Sequence, residues 1–186
     1  MNIKDFIVTN KLDDICLVGW SFGGMVSMQL AAQLKGKVSR LVLIGAPARF
    51  TQKAVMEKIY NRMQADFQGT LEWFYKFCFS SNERSRNEFG EIMKLLGEFI
   101  PPFDADELLA GLRLLMKLDV RDLLGRIAVP TLIIQGSKDK VCPPEEAEFL
   151  AKKIKNARVS IIDNAGHAPF LTQPDKVNAL IEEFIS

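Results

Sequence analysis

Histidine is almost absent from this chain. Its 186 residues contain a single one, His167, which argues against a histidine-built metal centre, since such sites draw on several imidazoles. Cysteine is scarce as well. Cys16, Cys78 and Cys142 are odd in number and far apart, so they read as free thiols in a reducing compartment and not as a disulfide framework or a zinc site. No apolar run approaches the roughly 18 residues of a membrane span. The opening Met1-Asn2-Ile3-Lys4-Asp5 lacks the apolar stretch of a signal peptide, and a cytoplasmic protein is expected. Excess charge is missing too: 24 Lys and Arg against 23 Asp and Glu leave a net +1. Dedicated nucleic-acid binding needs a concentrated basic surface, so it is not expected here. There is no internal repeat and no low-complexity segment.

What is present suits a single globular domain with a real core: 48% hydrophobic and 25% charged residues. Ile3, Phe6 and Ile7 suggest an amphipathic helix that ends between Asn10 and Asp13. Ile15 to Val18 is a short buried strand. A helix from about Gly23 to Leu34 follows, with Gly36 as its C-cap. Val38 to Gly45 is a second buried strand that runs into the Ala46-Pro47 turn. Strand, helix and strand within about thirty residues make a βαβ unit, hence an α/β fold with a parallel sheet.

From about Thr51 to Leu118 the β-branched runs stop. Aromatic-rich helical patterns replace them: Leu71 to Phe79, Phe89 to Phe99 and, after a Pro101-Pro102 break, Asp106 to Leu115. The expectation is a helical lid, residues 51–118, inserted between two parts of one core, 1–50 and 119–186. Most of its aromatics should form its own core, and a subset could line an apolar ligand pocket. Sheet character returns at Val129 to Gly136. A helix from Pro144 to Ile154 follows, with Glu145, Glu146 and Glu148 early and Lys152 and Lys153 late, as the helix dipole favours. Ala157 to Ile162 is a fourth strand, and Pro174 to Ile185 a closing helix.

The first strand ends in Gly19-Trp20-Ser21-Phe22-Gly23, a G-x-S-x-G pattern in strand–turn–helix context. Such a turn lifts a serine hydroxyl clear of the sheet. It is strained, and side chains two residues before and after the serine should collide, which assigns that need to Gly19 and Gly23. The first N–H groups of the next helix, Phe22 foremost, would then face the reaction site as an oxyanion donor. In open parallel sheets ligands gather beyond the carboxyl ends of the strands. Asp139 follows the third strand and His167 the fourth, in the order Ser, Asp, His. The three residue types have complementary roles in acyl transfer. Ser21 attacks a carbonyl, His167 takes and returns its proton, and Asp139 orients the imidazole. No cofactor is required. The bland alternatives are a structural histidine and a solvated turn acid. Asp163 is the competing acid, only four residues before His167 on the same loop.

These pieces resemble the α/β-hydrolase family and, within it, the pimeloyl-[acyl-carrier protein] methyl ester esterases of biotin synthesis. The resemblance is carried by Leu17 to Gly24, Leu118-Asp119-Val120-Arg121-Asp122-Leu123, Gly136-Ser137-Lys138-Asp139 and Gly166-His167-Ala168-Pro169-Phe170. It implies a partial α/β-hydrolase fold of about four parallel strands with flanking helices. It implies hydrolysis of a carboxylic ester on an acyl chain, with Trp20, Phe22 and Phe74 around the acyl group. A broad carboxylesterase or a thioesterase would use the same three residues, because the site sets reaction type and the lid sets substrate. The resemblance also implies an acyl carrier protein as partner, met by lid arginines. Only Arg86 falls at a matching position here, with Arg84, Lys76 and Lys94 nearby.

The chain departs from the family at its start. It begins about one helix before the nucleophile strand and has no His-Gly pair to supply a second oxyanion donor; one lost donor typically costs ~10²–10³ in kcat. The Ile15–Val18 strand should therefore have an unpaired edge, open to another chain. Three expectations follow: a serine ester hydrolase from a truncated gene product, one completed by a separate N-terminal half or a homo-oligomer, or a non-catalytic remnant serving as an interaction module.

Overall fold

The computed structural model describes residues 2–51, 53–99 and 104–186, so the expected Pro101-Pro102 break lies outside the described residues. Four strands, β1 (Ile15–Trp20), β2 (Val38–Ile44), β3 (Thr131–Gly136) and β4 (Ala157–Ile162), form one sheet in the order β1-β2-β3-β4. Every pairing is parallel. The helices are α1 (Ile3–Thr9), α2 (Phe22–Gln33), α3 (Lys53–Ala65), α4 (Phe67–Phe77), α5 (Ser81–Arg84), α6 (Phe89–Phe99), α7 (Ala105–Lys117), α8 (Pro144–Lys153), α9 (Pro169–Thr172) and α10 (Pro174–Ile185). Five of them, α3 to α7, lie between β2 and β3. Among the described residues, no helix is long and apolar enough to cross a membrane.

The alternation of a strand divides β2 and β3 between two cores. Leu41, Leu43 and Ile133 pack with Met25 and Met28 of α2 and Ala147 and Leu150 of α8 on one face. Val42, Ile44, Leu132 and Ile134 pack with Val177 of α10 on the other, where Leu180, Ile181 and Phe184 complete the cover. Buried on both faces, these strands read as the continuous apolar runs typical of parallel sheets. A third cluster, including Phe50, Met56, Ile59, Phe79 and Leu109, holds the α3–α7 layer together.

Several boundaries differ from the sequence expectation for local reasons. β3 starts at Thr131 and not at Val129, because Pro130 has no N–H to donate and contributes only its carbonyl, to Leu41 N. α2 ends at Gln33 with Leu34 as its cap, and Gly36, at φ +82°, turns the chain two residues further on. The short helices α5 and α9 and the 3₁₀ turn Arg121–Arg126 have no periodic signature to betray them. The Leu118–Leu123 stretch closes the return from the helical layer: Val120 is fully buried, its N–H donates to Ala48 O, and Arg121 grips Asp119 through both carboxylate oxygens.

β1 is an edge strand, with β2 as its one neighbour among the described residues. On the α10 face of the sheet two of its side chains stay largely open: Val18 is 54% exposed and Trp20 40%. Among the described residues the sheet order places this apolar strand at the rim, with the unpaired edge expected from the sequence.

Candidate active site

All four strands end at one rim of the sheet. Trp20 pairs with Ile44, Ile44 with Ile134, and Gly136 with Ile162. Three further bonds continue the ladder into the loops: Ser21 N to Ile44 O, Gly45 N to Ile134 O and Ser137 N to Ile162 O, at 2.9, 3.0 and 3.0 Å. The register therefore delivers Ser21, Asp139 and His167 to one side of the molecule.

Ser21 sits at φ 52°, ψ −120°, a backbone conformation uncommon for a residue with a side chain. It holds the N-cap position of α2, but its hydroxyl makes no capping bond. Phe22 is the first residue of that helix, so its N–H has no intrahelical acceptor. The glycines around the serine are used differently from the expectation. A Cβ at Gly19 would stand 2.6 Å from both the Gly23 carbonyl and Ser27 Oγ, so glycine is required there. Gly23 faces open space, whereas a Cβ at Gly24 would meet the Ala46 methyl at 2.3 Å. The crowded position is Gly24, because it is there that α2 packs back onto the strand ends.

His167 and Asp139 form a buried pair, 1% and 4% exposed. His167 Nδ1 lies 2.8 Å from Asp139 Oδ2. Asp139 Oδ1 accepts from the Val141 and Cys142 N–H groups, both at 2.8 Å, and Oδ2 accepts from Gln135 Nε2 at 3.0 Å. A carboxylate with four hydrogen-bond partners is fixed in place. Asp163, the competing acid, is exposed on the loop surface. His167 Nε2 is buried and has no hydrogen-bond partner among the described residues, so no bond to Ser21 Oγ is made here. Bonds between a nucleophile and its base are often long before substrate binds. The Trp20 indole N–H donates to His167 O at 2.8 Å, and its ring lies 5.3 Å from the imidazole and from Phe170.

Two residues near this pair carry no signal in the sequence that marks them as functional. Gly45, at φ +52°, packs so closely that a Cβ would stand 3.0 Å from His167 Nδ1 and 3.2 Å from Asp139 Oδ2. Gln135, fully buried, also donates to Cys142 O at 2.9 Å. The strand pattern marks Gln135 only as a polar residue in an apolar run, which is itself the available clue. Burial, with the Asp139 charge nearby, pushes the Cys78 thiol up to about 12 and Cys142 well above its ordinary 9.0. Both thiols stay protonated and are poor nucleophiles.

A cavity of about 520 Å³ opens between the sheet rim and the helical layer, bordered by Trp20, Ser21, Phe22, Phe74 and His167 and by Leu108, Leu112 and Leu115 of α7. Trp20, Phe22 and Phe74 thus border one mostly apolar cavity, with Glu107 as the acid among its lining. Of the basic residues singled out in the helical layer, Arg86 donates to Thr172 O at 3.2 Å and Arg84 to Lys76 O at 3.2 Å.

The model of the alpha/beta hydrolase family matches residues 3–180. The chain belongs to the α/β-hydrolase family. It is 33% identical over 177 residues to a pimeloyl-[acyl-carrier protein] methyl ester esterase of Stenotrophomonas maltophilia, covering 90% of this chain and 68% of that one. A protein of the same name from Neisseria meningitidis serogroup B is 29% identical over 178 residues, with 91% and 68% covered. Among solved structures, an esterase from Exiguobacterium antarcticum superposes with a TM-score of 0.89 at 26% identity, covering 98% of this α/β-hydrolase chain and 70% of its own. An enol-lactonase from Burkholderia xenovorans shares the fold, with a TM-score of 0.87 at 21% identity over 97% and 68% of the two chains.

Proposed function

We propose that the chain is a serine ester hydrolase in which Ser21 attacks the ester carbonyl, His167 relays the proton and Asp139 orients the imidazole. The observation that carries this reading is the buried Asp139–His167 pair, with Nδ1 engaged and Nε2 left without a partner on the cavity that Ser21 also borders. A neutral hydroxyl is a weak nucleophile, and an imidazole held in the Nδ1–H tautomer leaves Nε2 as the base it needs. As the tetrahedral intermediate forms, negative charge develops on the former carbonyl oxygen, and the Phe22 N–H at the start of α2 is the donor for it. His167 then returns the proton to the leaving alcohol, and water repeats the cycle on the acyl-enzyme.

For substrate, the proposal is a carboxylic ester with an apolar acyl chain held by Trp20, Phe22 and Phe74. The names of the Stenotrophomonas and Neisseria relatives favour a pimeloyl group on an acyl carrier protein, and the cavity lies within the range that holds a small acyl chain. Methyl esters of graded chain length, assayed beside matching thioesters and with Ser21→Ala as control, test this. A Ser21-dependent optimum at intermediate length supports it. Flat activity across lengths identifies a broad carboxylesterase, and preference for the thioesters a thioesterase. No Ser21-dependent turnover in any assembly points to a non-catalytic interaction module.

The open edge of β1 favours a second reading of the same chemistry, in which a strand from a separate polypeptide pairs with β1. Supporting it are the unpaired backbone of an edge strand and the exposure of Val18. Light scattering with activity measured across protein concentration tests it. A monomer with concentration-independent activity overturns it, and a symmetric dimer assigns the edge to a second copy.

A further inference from the structure

Glu83 belongs to the helical layer and stands outside the three residues that do the chemistry, yet it is 1% exposed. A carboxylate so buried is tolerated only when its oxygens are bonded. Oε2 accepts the Ser80 N–H and the Gly166 N–H, each at 2.7 Å, and Oε1 bonds the Thr172 hydroxyl. The bond to Ser80 is local, one half of a capping box on α5. The other two reach 83 and 89 residues along the chain and take hold on both sides of His167, at Gly166 just before it and at Thr172, the end of α9.

Neighbouring bonds complete the clamp. His167 N donates to Cys78 O at 2.6 Å, and Ser80 Oγ donates to Asn164 O at 2.8 Å. The two backbones touch so closely that a Cβ on Gly166 would stand 2.3 Å from Cys78 O and 3.0 Å from Glu83 Oε2. The imidazole is thus anchored twice. Asp139, from the sheet, fixes Nδ1, and the segment 78–83, from the helical layer, fixes the main chain that carries the ring. Together these two anchors set where Nε2 points. Segment 78–83 directly continues α4, which supplies Phe74 to the cavity.

We propose that Glu83 is a positioning residue for His167: through the Gly166 N–H it holds the base in line with Ser21 and ties that alignment to the helical wall of the substrate cavity. This rests on the serine-hydrolase reading above. Reactive geometry is unforgiving, and a displacement of about 1 Å can lose roughly 10²-fold in rate.

The test compares Glu83→Met, which removes both acceptor oxygens at similar volume, with Glu83→Gln, whose amide oxygen can still accept the Ser80 and Gly166 N–H groups. Competent sites are counted by stoichiometric phosphonylation with a fluorophosphonate, so that misfolded protein does not enter the rate. Per site, Glu83→Met is expected to lose about tenfold to a hundredfold in kcat with KM within about twofold, and Glu83→Gln to recover to within about threefold of wild type. A Glu83→Met kcat per site equal to wild type overturns the proposal, as does a change confined to KM. Should Glu83→Met fail to fold, Thr172→Val decides: it frees Oε1 alone, and a fall of about threefold per site supports the proposal while no fall overturns it. Ser21→Ala separates the two readings. If it is as active as wild type, the serine mechanism fails and this inference with it; if it is inactive while Glu83→Met matches wild type per site, only the role of Glu83 fails.

Discussion

On one side of the cavity Ser21 stands at the end of an edge strand, half-exposed, its place set by a strained backbone and by the close packing of Gly19 and Gly24. On the other side His167 and Asp139 are buried beyond two strand ends further into the sheet order, held by hydrogen bonds: Gln135 and two backbone N–H groups on the acid, Glu83 and Cys78 on the histidine loop. The serine side relies on backbone geometry, and the Ser21 hydroxyl makes no capping bond. The histidine–aspartate side relies on hydrogen bonds in a dry interior, where each missing partner leaves a buried orphan. The two sides should therefore fail in different ways.

The sharpest break comes at the serine. Ser21→Ala should lower kcat by a factor on the order of 10⁶ with no loss of thermal stability, measured by ester hydrolysis and a melting curve on the same sample. On the other side, Asp139→Asn should lower kcat by roughly 10⁴. The amide cannot hold the imidazole in the required tautomer, and it places an N–H₂ group against one or more of the donors that Asp139 now accepts. Unlike Ser21→Ala, it should also lower the melting temperature. Equal melting temperatures for the two variants would erase the distinction between the sides.

Backbone packing predicts a smaller contrast within the turn itself. Gly24→Ala should destabilise by about 1–3 kcal/mol, since its methyl would overlap that of Ala46. Gly23→Ala, facing open space, should change stability by under about 1 kcal/mol, and in the favourable direction. Urea denaturation of both variants measures the difference, and similar midpoints would mean that the turn can shift to absorb either methyl.

The smallest effect concerns the buried thiol beside the acid. Burial pushes the Cys78 thiol up to about 12 from an ordinary 9.0. The unfolded thiol therefore ionises first as pH rises: the contribution to stability is whole below pH 9 and is lost progressively between 9 and 12, at up to about 1.4 kcal/mol per unit. Urea midpoints at pH 8 and pH 10 should fall less in Cys78→Ala than in wild type. An identical fall would show that the thiol is not desolvated.

Much of the site is legible in the sequence because its members follow local signals. A run of apolar residues ending in Gly-x-Ser-x-Gly specifies strand, turn and helix within a dozen positions, and Asp139 and His167 each follow a β-branched run at a glycine turn. Those patterns involve only neighbours in the chain. The expected crowding at Gly23 fails for the same reason: whether a Cβ fits depends on Ala46, more than twenty residues away, and the motif alone does not say which face α2 turns towards it. Gln135 and Glu83 escape notice in the sequence because a buried polar side chain looks like any other until its partners are in place.

The sequence by itself determined the α/β class, the order of the elements and the identity of Ser21, Asp139 and His167 as candidates, since hydrophobic period and turn chemistry act over a few residues. Only the tertiary structure decided that Val18 is left exposed, that Asp139 and not Asp163 meets the imidazole, and that Glu83 reaches across to Gly166. Those outcomes depend on sheet order and on contacts between residues scores of positions apart, which are fixed when the layers pack and the buried polar groups find one another.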